Sequence, residues 1–239
     1  MKNWNLNDKK VLITGGTKGI GRAAVEEFLS LGAEVVFTAR DQAAVEAFEN
    51  ELRAENFNAT GLPLDVTKDS DTAQIKKWIG DNWGRLDVLV NNAGINLRKP
   101  SDQYTTDEYN AVVNTNVTAP FNLSVALLEL LKASDSASII NVASIAGLMD
   151  VKTGSPYGIS KAGLLQLTRN LAAEWATYGI RVNAVSPWFT ETPLTEALLK
   201  NEEKLKQVIA RTPLGRVAQA SEMATAVAFL AMPAASYIT

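Results

Sequence analysis

The 239-residue chain predicts an α/β domain built on one doubly wound parallel sheet with helices on both faces. Three observations carry that expectation. Short apolar runs bounded by turn residues alternate with longer segments of helical period, and a glycine-rich turn joins the first run to the first helix. No fixed-period repeat, low-complexity tract or Pro/Gly-rich linker divides the chain, so a single domain over 1–239 follows.

Strands are expected at Lys10–Thr14, Glu34–Thr38, Ala59–Leu64, Val88–Asn91, Ser138–Val142 and Arg181–Ser186. Between the first two, Ile20, Ala23, Ala24, Phe28 and Leu31 recur at helical spacing, and Gly32 stands where a left-handed C-terminal cap is wanted. Further helices are read at Asp107–Leu131, Pro156–Tyr178 and Ser221–Leu230. From Pro187 to Pro213 the alternation is interrupted by Trp188, Phe189 and a helical stretch around Leu198–Ile209. That segment reads either as a lid over a substrate site or as a helix packed on the body of the fold.

Composition removes several classes of function. A net charge of -3 with interspersed signs offers no basic stripe for a phosphate backbone, so nucleic acid is not an expected partner. Without cysteine there is neither a disulfide nor a thiolate nucleophile, and without histidine the commonest metal ligand and general base is missing. No metal site is expected. No apolar run reaches membrane-spanning length and the first residues lack a signal-peptide core, which predicts no membrane partner and a cytoplasmic location.

The turn Thr14-Gly15-Gly16-Thr17-Lys18-Gly19-Ile20-Gly21 follows the first strand and opens the first helix. Glycines there let the backbone turn sharply and approach a pyrophosphate, while the helix N-terminus supplies free N–H groups and a positive dipole end. Glycine spacing alone also suits tight turns that bind nothing. The spacing Gly15-x-x-x-Gly19-x-Gly21 is followed in order by Asp65-Val66, Asn91-Asn92-Ala93-Gly94, Asn116, Ser144, Tyr157-x-x-x-Lys161 and Pro187. In this pattern the chain resembles the short-chain dehydrogenase/reductase family over nearly its whole length, which implies a Rossmann-type sheet.

The resemblance implies that Gly15, Thr17, Lys18, Gly19, Ile20 and Gly21 cradle a nicotinamide dinucleotide. It further implies that Asp65 and Val66 contact its adenine, and that Asn92, Ala93 and Gly94 line the adenosine and ribose side. Pro187, Thr190 and Thr192 would lie at the nicotinamide. Each also has a local reading: Asp65 can cap the following helix, and Asn92 and Gly94 can shape a turn.

Tyr157 and Lys161, four apart on one helix face, can act together, a nearby ammonium favouring the phenolate. Ser144, thirteen residues before Tyr157 and just past the fifth strand, can polarise a carbonyl while Tyr157 transfers the proton. Asn116 is disfavoured inside a helix. By residue type it faces solvent, and by resemblance it positions a relay water beside Lys161.

Charge at the end of the second strand selects NADP(H): Thr38 and Ala39 offer no carboxylate for a ribose 2′-OH, whereas Arg40, with Lys18 opposite, suits a phosphate. Asp41 could pair with Arg40 or reach the 2′-OH itself. The stretches Ser186–Leu194 and Pro233–Thr239 resemble the tropinone reductases and their relatives. Trp188 replaces a common glycine of the family and either adds bulk at the substrate mouth or packs inward.

The expected substrate is a small apolar or cyclic ketone or alcohol, and the expected assembly a homodimer or homotetramer. An alternative is a 3-oxoacyl carrier-protein reductase, which requires a basic patch at the mouth, with Arg98, Lys99 and Lys152 as candidates. Another is a non-catalytic NADP-binding regulator, against which the Ser144, Tyr157 and Lys161 set weighs. Family members usually continue past the helix at Ser221–Leu230 into a last strand, so a shortened or incomplete C-terminus is expected.

Overall fold

The computed structural model describes residues 3–239. Six strands, β1 (Lys10–Thr14), β2 (Glu34–Thr38), β3 (Ala59–Leu62), β4 (Val88–Asn91), β5 (Ser138–Val142) and β6 (Arg181–Val185), pair in parallel in the order β3-β2-β1-β4-β5-β6. The four inner strands are mainly buried runs because parallel crossovers cover both faces of the sheet, whereas the edge strands β3 and β6 are only partly buried. Successive side chains point to opposite faces. Val11, Ile13, Val35, Phe37, Val88, Val90 and Ile140 therefore enter one core, and Leu12, Val36, Leu89 and Ile139 the other.

The crossovers are α1 (Gly19–Ser30), α2 (Gln42–Ala54), α3 (Asp69–Asn82), α4 (Thr106–Val113), α5 (Ala119–Ala126), α6 (Leu128–Lys132) and α7 (Ser155–Trp175), followed after β6 by α8 (Glu196–Leu199), α9 (Glu202–Ala210) and α10 (Ala220–Ala231). Phe28 of α1, Phe48 of α2 and Val227 of α10 fill the first core, and Ile75 of α3, Leu123 of α5 and Trp175 of α7 the second. Gly32 adopts φ +91, the left-handed value read from the sequence.

Chain direction across the sheet reverses between β1 and β4, and ligands of such sheets bind beyond the strand ends at that reversal.

Beyond shifts of a few residues at the ends of β6, α7 and α10, three elements depart from the sequence reading. The long helix expected at Asp107–Leu131 is broken by a π-helical turn over Asn114–Thr118 and again before Leu128. The helix around Leu198–Ile209 is two helices, because the Asn201 side chain accepts from Lys204 N–H and starts α9 afresh. β3 stops at Leu62.

Candidate active site

The glycine-rich turn is braced from β4. The Asn92 amide donates to the carbonyls of Thr14 and Gly15 at 2.8 and 3.1 Å, and the Thr14 hydroxyl accepts from the N–H groups of Asn92 and Ala93, both at 3.0 Å. Asn92 thus shapes the turn, as its local reading allowed. Gly21 permits the close approach: a Cβ there would lie 2.1 Å from the Gly15 carbonyl oxygen and 2.3 Å from the Asn92 amide nitrogen. Lys18 caps α1 without a side-chain acceptor, and the first turn carries no acid. The helix N-terminus therefore presents free N–H groups and an uncompensated positive dipole end to the cleft. These residues fit a dinucleotide pyrophosphate, for which they would supply backbone donors and the Lys18 ammonium.

Asp41, which could have neutralised Arg40, instead caps α2 by accepting from Ala44 N–H at 3.2 Å. Among the described residues Arg40 makes no ion pair. Asp65 turns the chain toward α3, its Oδ1 accepting from the Thr67 N–H and hydroxyl at 3.0 and 2.7 Å. Thr17, Gly21, Arg40, Asp65, Val66 and Asn116 do not line the central cavity. Arg40 and Asp65 lie beyond it, past the ends of β2 and β3.

That cavity, of about 340 Å³, is lined by Ser144, Tyr157 and Lys161 together with Gly15, Lys18, Gly19, Ile20, Asn92, Ala93, Gly94, Pro187, Thr190 and Thr192. Residues dispersed over most of the chain meet there because all sit at or near the C-terminal strand ends. Ser144 follows β5; its hydroxyl accepts from Ala146 N–H at 3.1 Å, and it shares the cavity wall with Tyr157. The loop after β5 rests directly on the backbone of α7. A Cβ on Gly147 would lie 2.7 Å from the Lys161 carbonyl carbon and 2.8 Å from Ala162 N.

Lys161 is buried, and its ammonium donates to the Val142 carbonyl at 2.8 Å, 5.7 Å from the Tyr157 ring centroid. Burial pushes its pKa down to about 8. Burial also raises the Tyr157 phenol, opposed by the Ser144 hydrogen bond and the positive charge of Arg98. Desolvation is the largest influence on the phenol here, and the Lys161 ammonium faces the Val142 carbonyl.

Asn116 is fully buried rather than solvent-facing. Its Oδ1 accepts from Ile95 N–H at 2.9 Å, and its amide donates to the Ile95 carbonyl at 2.9 Å and the Ser160 hydroxyl at 3.0 Å. It sits in the π-helical turn, a distortion frequent at functional sites. A Cβ on Gly94 would lie 3.2 Å from Asn116 Oδ1 and 3.5 Å from Lys161 Nζ, so glycine keeps open the space beside both groups.

Another wall of the cavity is formed by the loop after β6. Trp188 lines the cavity, held by a 2.9 Å bond from its indole N–H to the Thr212 hydroxyl and an edge contact with Phe189. It is a wall residue rather than core. Thr192 closes over the glycine-rich turn, a Cβ on Gly19 lying 3.1 Å from its methyl group. Thr195, which sequence reading missed, ties this loop by donating to the Thr190 carbonyl at 2.5 Å; the run of threonines at 190, 192 and 195 was its signal. Also missed were the Val142 carbonyl and Val151 and Thr153, the last fixed by Asn96. A second cavity of about 960 Å³ adjoins the first, and Arg98, Thr153, Trp188 and Phe189 belong to both.

A doubly wound parallel sheet with a glycine-rich turn at its reversal and a serine, tyrosine and lysine meeting beside it defines a Rossmann-type oxidoreductase. A family model described as enoyl-(acyl carrier protein) reductase matches residues 15–239. Two tropinone reductase homologs of Arabidopsis thaliana are each 44% identical over the whole chain, which covers 90% and 91% of their lengths. Among solved structures, a gluconate 5-dehydrogenase from Burkholderia cenocepacia in complex with NADP and tartrate aligns with TM-score 0.95 at 30% identity, covering 100% of this chain and 93% of that one. The chain belongs to the short-chain dehydrogenase/reductase family.

Proposed function

We propose that the chain interconverts a small-molecule ketone and its secondary alcohol with NADP(H) as cofactor. The observation that carries this reading is that Ser144, Tyr157 and Lys161 line one cavity together with the glycine-rich turn. When bound, NADPH supplies the hydride. Tyr157, kept protonated by burial, donates its proton to the substrate oxygen as negative charge develops there, and Ser144 orients that oxygen by hydrogen bonding. Lys161 holds positive charge behind the phenol, and Asn116 positions a relay water in the space that Gly94 leaves open.

Arg40 and Lys18, neither of them ion-paired among the described residues, favour the phosphorylated cofactor, as does the NADP bound by the Burkholderia relative. Residues 187–213 serve as the substrate loop and lid. Exposed Phe121 and Val125 on α5 support a homodimer or homotetramer, and no described helix is long and apolar enough to cross a membrane. We place the protein in the cytoplasm. The carrier-protein alternative is weakened because the Lys99 ammonium is committed to Glu108 at 2.7 and 2.5 Å.

Tyr157→Phe is the direct test, with NADPH binding and ketone turnover measured separately. Turnover should fall about 100-fold or more, the scale of positioned acid catalysis, while binding persists. Near-native turnover would overturn the assignment.

A further inference from the structure

We infer that Arg98 anchors a carboxylate on the substrate, so that the ketone taken by this site is an oxo acid and its product a hydroxy acid. The inference deepens the proposed oxidoreductase function and rests on it. Arg98 follows β4 and lines both cavities, and its guanidinium reaches across the cleft to donate to the Leu194 carbonyl at 2.6 Å. That bond fixes the group between the loops after β4 and β6 while using only part of its fork of donors.

No acid answers its charge. Among the described residues Arg98 makes no ion pair, while its neighbour Lys99 is paired with Glu108. No acid among the described residues lines the first cavity, and Asp150, which lines the second, accepts from the Lys152 N–H at 2.8 Å. The residue as a whole is exposed, and partial desolvation lowers the guanidinium pKa.

Val151, Trp188, Phe189 and Leu194 complete an apolar wall around this cation. Carbon packs on the wall and a carboxylate takes the free donors side by side, the geometry guanidinium serves best. The charge is also close enough to favour the Tyr157 phenolate, which places it near the reacting oxygen. The wholly apolar ketone expected from sequence leaves this group unused.

The test is equilibrium binding of cyclohexanecarboxylate and cyclohexanecarboxamide to the NADP-loaded protein, followed by tryptophan fluorescence and calorimetry. The acid should bind about tenfold tighter or more, the scale of one charge-assisted contact. Arg98→Gln should erase the difference without changing NADP affinity or thermal midpoint, and Arg98→Lys should keep part of it. A parent that binds the acid no tighter than the amide, or binds neither, overturns the inference, as does a preference that survives in Arg98→Gln. No turnover is required, so a failure of the Tyr157 assignment and a failure here are separately visible.

Discussion

Replacing Lys161 with Met should relieve a destabilising charge while abolishing turnover. The ammonium is buried with the Val142 carbonyl as its hydrogen-bond acceptor, and its pKa falls from 10.5 to about 8. That difference corresponds to roughly 3 kcal/mol of disfavoured charge. Below pH 8 the lysine is protonated in both folded and unfolded chains, and the folded state carries the full penalty. Between pH 8 and 10.5 the folded lysine releases its proton while the unfolded one keeps it, so stability rises with pH and the penalty is gone above 10.5. Met removes this pH dependence and leaves Val142 unpaired, a constant loss of about 1–3 kcal/mol. In urea denaturation the parent should therefore gain roughly 2–3 kcal/mol on Lys161→Met between about pH 7 and pH 10. A stability difference that stays flat over that range would refute the reasoning.

Arg40→Asp should reverse the cofactor preference: the parent should favour NADPH over NADH about tenfold or more in kcat/KM, on the scale of one charge-assisted bond. Equal parental efficiencies, or a ratio unmoved by the substitution, would exclude Arg40 from the phosphate. Gly21→Ala forces a methyl group against the Gly15 carbonyl and the Asn92 amide and should cost about 1–3 kcal/mol of stability, with NADPH affinity lost in parallel. Thermal unfolding and fluorescence titration report the two effects, and an alanine variant that binds normally would contradict the close approach.

The inner strand positions were legible because each is a short, mainly buried run whose residues feed the two cores alternately. The break at Asn114–Thr118 was not legible. It accompanies Asn116 bonding to Ile95 and Ser160, partners 21 and 44 residues away that periodicity cannot register. The start of α9 could have been read, since Asn201 precedes Glu202 and Glu203, the usual opening of a helix. At the site, family order set Ser144, Tyr157 and Lys161 side by side, and all three line one cavity. What it missed was electrostatic. Of Arg98, Lys99 and Lys152 only Lys99 is ion-paired among the described residues, because loop packing brings it to Glu108.

The contact of Gly147 with the backbone of Lys161 and Ala162 leaves no side chain between the loop carrying Ser144 and the helix carrying Tyr157. The spacing of the reacting groups is thus a property of main chain on main chain, out of reach of gradual adjustment by changing residue size. The wall opposite, from Trp188 to Arg211, is made of side chains on a separate loop and helix pair. Such a division lets substrate choice drift, in nature or in a library of variants, while the proton-transfer apparatus is inherited intact.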